Sequence, residues 1–151
     1  MKLYTLALVG VLGVFGVSAE AQTCGVLCDP GFWKSASEAD IVREISTADV
    51  HARSEDGQTA LIWAAGSGTA ESVKLLLDAG ADVHARNKFS STALMWAAGS
   101  GTAENVKVLL DSGADGSVKD SKGKTAWDLA QDNATLKGTD AYWMLNDARF
   151  K

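Results

Sequence analysis

Apolar and polar positions along the chain follow a pattern that predicts pairs of short helices. Thr59 stands directly before the apolar run 61–65, and a threonine in that place is a helix N-cap signal. A second helix is predicted from Thr69, since apolar residues recur at i, i+3 and i+4 from Val73 onward. Gly80 is expected to end this helix, because glycine commonly lies just past a helix C-terminus. The polar residues that follow predict a short, turn-like loop.

The same pattern is written twice in succession. Residues 48–80 and 81–113 are identical at 24 of 33 positions, and Thr125 continues the register of Thr59 and Thr92. A fixed period of this length is typical of stacked repeat proteins. Because one helix pair cannot bury its own apolar side, neighbouring units are expected to stack.

The period and the residues that recur within it resemble the ankyrin repeat. The resemblance extends over residues 32 to about 148 and is carried by residues 54–61, 64–68, 73–77 and 80–83, which read SEDGQTAL, AAGSG, VKLLL and GADV. It implies an all-α fold, an ankyrin-repeat solenoid of stacked helix-turn-helix units with short hairpin-like loops. It also implies a surface that binds another protein.

This chain departs from the ankyrin pattern at several turn positions. The segments 59–62 and 92–95 lack the family's usual Pro and His. His51 and His84 replace a usual Asn, and Ser90 stands where the turn glycine is expected. These departures affect local hydrogen bonding rather than the fold, and the two histidines are interpreted as hydrogen-bonding stabilisers of the turns.

The pattern divides the chain into a leader, a short N-terminal segment and one repeat domain. The predicted ranges are 1–21 for a signal peptide, 22–31 for the N-terminal segment, 32–47 for an N-terminal cap, 48–80 and 81–113 for two full repeats, and 114–148 for a C-terminal capping repeat. Phe32 and Trp33 are expected to pack on the first full repeat.

The first residues have the features of a secretory signal. Lys2 precedes an uncharged apolar stretch over residues 3–17, and Ala19-Glu20-Ala21 fits a small-x-small cleavage site. We expect cleavage after Ala21; the alternative is an uncleaved anchor, for which the stretch is short. The opening FWKSA and the ending KGTDAYW resemble small exported bacterial ankyrin proteins, which implies a periplasmic or secreted location.

Cys24 and Cys28 are the two cysteines of the chain. In an exported protein an even cysteine count suggests a disulfide, which would fasten the N-terminal segment in front of the first repeat. A redox or metal pair is the alternative, but the spacing is not C-x-x-C and no second Cys/His pair completes a zinc set.

The differences between the two full repeats are concentrated in one loop. Of nine differing positions, five are consecutive, residues 54–58 against 87–91. Loops on one face of a repeat array often bind the partner, although exposed loops also drift without function. The predicted loop contacts are Glu55, Asp56, Gln58, Lys88, Phe89 and Ser91, extended by Lys122 and Lys124.

Trp63 and Trp96 occupy equivalent positions in adjacent first helices. The ankyrin resemblance places this position toward the concave groove, so the indoles are expected to form an aromatic strip with at least one ring exposed. Tryptophan is over-represented among interface hot spots. The alternative is that each ring packs into the core.

Other chemistries find little support in the sequence. The formal charge is −5 and stays −5 without Lys2 and Glu20, which argues against a nucleic-acid partner. His51 and His84 lie a full repeat apart, too far to share a zinc ion. The Gly66–Glu71 segment lacks the strand and third glycine of a dinucleotide loop. We expect no cofactor, no metal and no catalytic activity.

The sequence thus predicts an exported protein-interaction module that is monomeric alone, does not insert in a membrane after signal cleavage and binds an unidentified protein. One alternative is a binder of small molecules or cell-wall fragments that uses the tryptophan strip. Others are a companion of a periplasmic enzyme and a secreted effector that binds a host protein.

Overall fold

The structure is a computed structural model that describes residues 24–151. After a 3-10 helix at Gly25–Cys28 come the α-helices. Their bounds are α1 Pro30–Ser35, α2 Glu38–Thr47, α3 Ala60–Ser67, α4 Ala70–Asp78, α5 Ala93–Ser100, α6 Ala103–Asp111, α7 Ala126–Ala130 and α8 Asp140–Ala148. Over these residues the chain has no strand, only an isolated bridge between Arg53 and Thr59. The predicted all-α class is confirmed.

Threonine starts most of these helices. Thr59, Thr92 and Thr125 are the N-caps of α3, α5 and α7, where each hydroxyl accepts a hydrogen bond from a backbone N–H three residues on. Thr69 and Thr102 cap α4 and α6 in the same way. Such a cap satisfies one of the amides that a helix leaves unpaired at its start.

The helices form two layers. The inner layer is α1, α3, α5 and α7 and the outer layer is α2, α4, α6 and α8, and each helix packs on the next member of its own layer. Ala64, Ala65, Ala97 and Ala98 are fully buried where the layers meet. Small side chains there let neighbouring helices approach closely, which lets the repeats stack into one continuous core.

Two buried asparagines tie each repeat to the one before it. The Asn105 side chain of α6 donates to the carbonyl oxygens of Ala65 and Gly68, at 2.9 and 3.1 Å. Asn133, after α7, donates to the carbonyls of Ala98 and Gly101, both at 3.1 Å. These bonds satisfy carbonyl groups at the ends of α3 and α5 that the helices themselves leave free.

The N-terminal segment packs against the first full repeat. The sulfur atoms of Cys24 and Cys28 lie at bonding distance and their Cα atoms are 5.2 Å apart, within the range of a disulfide. The sulfur of Cys28 lies 3.3 Å from the carbonyl oxygen of Gln58. Trp33 is buried and donates its indole N–H to the carbonyl of Leu27 at 2.8 Å.

Aromatic side chains cover the other end of the stack. Trp127 of α7 lies 4.3 Å from Tyr142 and 6.2 Å from Trp143, measured between ring centroids. The Arg149 guanidinium lies 5.5 Å from the Trp127 centroid and 4.6 Å from that of Phe150. Trp127 stands in the register of Leu61 and Leu94, both of which are buried. These aromatics therefore close the last repeat in place of a further one.

The predicted signal peptide, residues 1–21, lies outside the described residues. Within residues 24–151 no helix combines the length and the apolar character that are needed to cross a membrane.

Candidate functional site

Three hairpin tips project between the outer helix of one repeat and the inner helix of the next. We define tip 1 as residues 54–58, tip 2 as 87–91 and tip 3 as 120–124, and together they are the tip row. Each tip is closed by the same two backbone hydrogen bonds. The N–H of the first residue donates to the carbonyl of the fifth, and the N–H of the fourth donates to the carbonyl of the first. The donor and acceptor pairs are Ser54 to Gln58 and Gly57 to Ser54 in tip 1, Asn87 to Ser91 and Ser90 to Asn87 in tip 2, and Asp120 to Lys124 and Gly123 to Asp120 in tip 3.

The fourth residue of each tip lies in the left-handed backbone region. Its φ is 73° at Gly57, 59° at Ser90 and 77° at Gly123. Only glycine adopts this conformation without steric cost. Ser90 therefore keeps the turn that the sequence expectation assigned to a glycine, at the expense of local strain.

The main chain joins the tips into a single row. The backbone N–H of Lys88 donates to the carbonyl of Asp56 at 3.0 Å, and that of Ser121 donates to the carbonyl of Phe89 at 2.9 Å. The guanidinium groups of Arg53 and Arg86 add a second set of bonds, to the carbonyls of Arg86 and Lys119 at 2.8 and 2.7 Å. The tips are thus held in fixed register with one another.

Most of the predicted tip residues lie on the surface of this row. Glu55, Asp56, Lys88, Lys122 and Lys124 are exposed. Phe89 is 57% exposed although it is a large apolar side chain. A single exposed apolar side chain does not by itself mark an interaction surface. Of the five large apolar side chains exposed in residues 24–151, however, Phe89 is the one that lies on the tip row.

Two of the predicted contacts are placed differently. Gln58 is only 6% exposed, and its side-chain oxygen accepts a hydrogen bond from Asn87 at 3.2 Å. The expectation that Gln58 presents its side chain at the loop surface is therefore wrong; the residue joins tip 1 to tip 2 from beneath. Ser91 is half-buried.

Trp63 and Trp96 lie in contact on the inner helices, with ring centroids 5.1 Å apart and ring planes at 67°. Both side chains are half-buried, so neither ring is fully exposed in the groove and neither is fully packed into the core. The indole N–H of Trp63 is buried with no hydrogen-bond partner in the described residues. Since the rings meet edge to face, they do not offer one flat surface on which a sugar ring could stack.

Five cavities in residues 24–151 lie away from the two tryptophans. Neither indole lines any of these five. A cavity of about 540 Å³ lies instead between α6 and α8, lined in part by Leu110, Met144 and Asp147. The geometry around the two tryptophans therefore resembles a shallow face rather than an enclosed ligand site.

The histidines do not hold the turns through their side chains. The backbone N–H of His51 donates to the Asp49 carboxylate at 2.8 Å, and that of His84 to Asp82 at 2.9 Å. Each histidine thus takes part in a hydrogen bond of the turn, but through its backbone N–H, and an aspartate supplies the side chain. Over residues 24–151 no group of three His, Cys, Asp or Glu side chains is arranged to hold a metal ion.

Three carboxylates have a lowered pKa, and hydrogen bonds to the charged form explain each of them. In each case a Ser or Thr supplies both its hydroxyl and its backbone N–H. For Asp40 and Asp115 the hydroxyl bond is the larger cause of the lowered pKa, from Ser37 and Ser117 respectively, whereas for Asp128 the Thr125 backbone N–H is the larger cause. These carboxylates act as helix-cap and turn acceptors, which accounts for their ionisation without a catalytic role.

The repeated helix pair, its hairpin row and the 33-residue register together define the family. A family model for ankyrin repeats, in three copies, matches residues 33–120. The chain belongs to the ankyrin-repeat family. Ankyrin repeats are generally protein-protein interaction modules and are typically not catalytic. A search of curated proteins found no match to this ankyrin-repeat protein.

Sequence reasoning missed the residues that fasten the ankyrin repeats together. Asn105 replaces Ser72 and Asn87 replaces Ser54, and both changes are among the nine differences between the full repeats. In both cases a longer polar side chain replaces a serine at a position that faces the preceding repeat. Such a change between two otherwise similar repeats is the sequence signal that could have identified these residues. Arg53 and Arg86 are identical in the two repeats and gave no such signal.

Proposed function

We propose that this ankyrin-repeat protein is an exported interaction module that binds a partner protein through its tip row and the adjoining face with Trp63 and Trp96. The proposal is carried by the exposure of Phe89 on a row whose main chain is already fixed, among charged side chains that form no ion pair within residues 24–151. A binding surface that is rigid before binding loses little conformational freedom in the complex.

Export rests on the signal-like residues 1–21 and is supported by the cysteine pair. Disulfides persist in oxidising compartments such as the bacterial periplasm and are rare in the cytosol. Cys24 and Cys28 stand at disulfide distance, directly after the proposed cleavage site. Intact-mass measurement of the protein recovered from a periplasmic fraction tests both points. The expected species begins at Gln22 and is two hydrogen atoms lighter than the reduced chain.

Affinity capture tests the partner proposal. The bait is the protein purified from the periplasm of the expression host, and the sample is a periplasmic extract of the source organism. The critical variant is Phe89→Ala, and the matched control is Phe150→Ala, which removes an exposed phenylalanine just beyond the C-terminal end of α8. A protein retained by wild type and control and lost with Phe89→Ala supports the tip row as the binding surface.

The variants are better placed at Phe89 than at the tryptophans. Trp63 and Trp96 pack on one another and on the core, so their replacement by alanine would also disturb folding. Trp63→Phe and Trp96→Phe keep an aromatic ring at each position and test the inner face separately. If the same proteins bind every variant, the surface assignment is wrong, and extracts of a host cell become the next sample.

A further inference from the structure

Within residues 24–151 the charged side chains of the tip row form no ion pairs. Over residues 24–151 the ion pairs are those of Arg43 with Asp40 and with Glu44, and both lie on α2. Asp56 and Lys88 are joined by a backbone hydrogen bond, yet their side chains form no ion pair. The Coulomb attraction of these groups is therefore available to another molecule.

These free charges are sorted along the row. Tip 1 carries Glu55 and Asp56, and tip 2 carries Lys88 beside Phe89. In tip 3 the exposed charged side chains are Lys122 and Lys124, while Asp120 is half-buried. The row thus runs from an acidic end, through an apolar side chain, to a basic end.

The remaining charged groups near the tips keep their charges, but the two ends of the row keep their signs. With Arg53 counted, tip 1 is still net negative, and with Lys119, Asp120 and the nearby Asp128 counted, tip 3 is still net positive. The guanidinium groups of Arg53 and Arg86 are bonded to backbone carbonyls of the next hairpin. The Asp120 carboxylate accepts the backbone N–H groups of Lys122 and Lys124 at 2.8 and 2.9 Å. Lys119, exposed beside tip 3, adds to the basic end.

We infer that the tip row recognises a protein segment whose own charge is sorted in the opposite sense, with a basic block at Glu55 and Asp56, an apolar side chain on Phe89 and an acidic block at Lys122 and Lys124. This inference rests on the proposed function, because it names the chemistry of the partner at the same surface. Stacked helices lie roughly 8–10 Å apart, so about three residues of extended chain span one tip. The two charged blocks are then about six residues apart.

A second copy of this chain fits the row less well. Two rows in antiparallel contact would pair the acidic end of each with the basic end of the other. The same arrangement would bring Lys88 of one copy close to Lys88 of the other, beside the two Phe89 rings. Like charges at the centre of a contact oppose it, so a partner with an apolar centre is favoured.

Two synthetic peptides of identical composition test the sorting. The block peptide has a lysine block, a neutral spacer of about six residues with a central leucine, and an aspartate block. The scrambled peptide has the same residues with lysine and aspartate alternating. Fluorescence anisotropy of each labelled peptide with the full-length chain is measured at low and at physiological salt. We expect the block peptide to bind about tenfold more tightly, which several exposed ion pairs can supply.

Charge reversal on the protein provides the second arm. Glu55→Lys with Asp56→Lys, or Lys122→Glu with Lys124→Glu, gives both ends of the row one sign and is expected to abolish the preference for the block peptide. All four changes together restore a sorted row, to which the peptide binds in the opposite direction, so the preference returns. Lys74→Glu, an exposed reversal on α4, is the control and keeps the preference.

Each outcome decides the inference. Equal binding of the two peptides, binding of neither, or the same preference in the singly reversed rows overturns it, as does self-association that these reversals abolish in sedimentation velocity. If a captured protein still depends on Phe89 while the peptides show no preference, the proposed function stands and the charge-sorted segment is wrong. If capture also fails at Phe89, both fall.

Discussion

The indole of Trp96 lies across Gly66 of the preceding inner helix. A Cβ atom at position 66 would stand 3.0 Å from Cε3 of Trp96 and 3.0 Å from the Ser100 hydroxyl oxygen. The equivalent Gly99 has more room, because its nearest neighbour would be Cβ of Leu129 at 3.9 Å. The packing of Trp96 against Trp63 therefore depends on position 66 having no side chain.

Alanine at these two glycines should have different effects. Gly99→Ala is expected to stabilise the protein by about 0.5–1 kcal/mol, because alanine favours the helix and its Cβ meets only ordinary contacts. Gly66→Ala is expected to lose that gain or to destabilise, since Trp96 must move aside. Urea unfolding gives both free energies, and tryptophan fluorescence reports the ring. An equal gain from the two variants would contradict the close contact.

Ser90→Gly should stabilise the protein. Ser90 holds a φ of 59°, a conformation that costs a non-glycine residue about 1–2 kcal/mol, while glycine adds backbone entropy to the unfolded chain. We expect a net gain of about 0.5–1 kcal/mol in the free energy of unfolding. The converse change at tip 1, Gly57→Ser, should cost a similar amount. If Ser90→Gly leaves the denaturation midpoint unchanged, the serine turn carries no strain.

Much of this fold can be predicted from the sequence because its signals are local. The Thr caps, the apolar spacing and the exact period all lie within one unit, and they give the helix pairs of the stack. Contacts between units are harder to predict. The burial of Gln58 depends on Asn87, and the setting of Trp96 depends on Gly66, each about one repeat away. Copied residues such as His51 gave no sign that a neighbouring aspartate holds the turn.

Asn105→Ala should weaken the tie between the two full repeats. The Asn105 side chain is fully buried and donates to two carbonyl oxygens at the end of α3. Its loss leaves both without this donor, so we expect a cost of about 2–3 kcal/mol in the free energy of unfolding.

The matched control for Asn105 is Ser72→Ala at the same position of the preceding repeat. The Ser72 hydroxyl bonds to Thr69 of its own helix cap and not to another repeat. Its removal is expected to cost about 1 kcal/mol or less. Comparable losses from Ser72→Ala and Asn105→Ala in urea titrations would argue against a special inter-repeat role for the asparagine.

Asp128 should make the free energy of unfolding depend on pH. Hydrogen bonds from the backbone N–H and then the hydroxyl of Thr125 lower the pKa of Asp128 below its ordinary value of 3.8. A carboxylate whose pKa is lower in the folded than in the unfolded state stabilises the protein. This stabilisation is complete at pH values above the unfolded-state pKa and is lost as the pH falls through the folded-state pKa. Asp128→Asn is therefore expected to be less stable than wild type at pH 7, with the difference shrinking below about pH 5.

Thermal unfolding of wild type and Asp128→Asn across this pH range measures the effect. The control is Asp132→Asn, an exposed carboxylate whose oxygens accept no hydrogen bond from the described residues. Its difference from wild type is expected to be small at every pH. If the difference for Asp128→Asn does not vary with pH, the hydrogen bonds between Thr125 and Asp128 stabilise the protein through their geometry and not through the charge of the carboxylate.

The bonds from the Lys88 amide to Asp56 and from the Ser121 amide to Phe89 involve main-chain atoms alone. Any amino acid that keeps its N–H can stand at positions 88 and 121, and proline alone lacks that donor. The side chains at 55, 56, 88, 89, 122 and 124 can thus be exchanged as a set without altering the frame beneath them. A combinatorial library at these positions would turn this small domain into a scaffold for selected binders, provided that proline is left out at 88, 89, 122 and 124, where the backbone N–H is hydrogen-bonded.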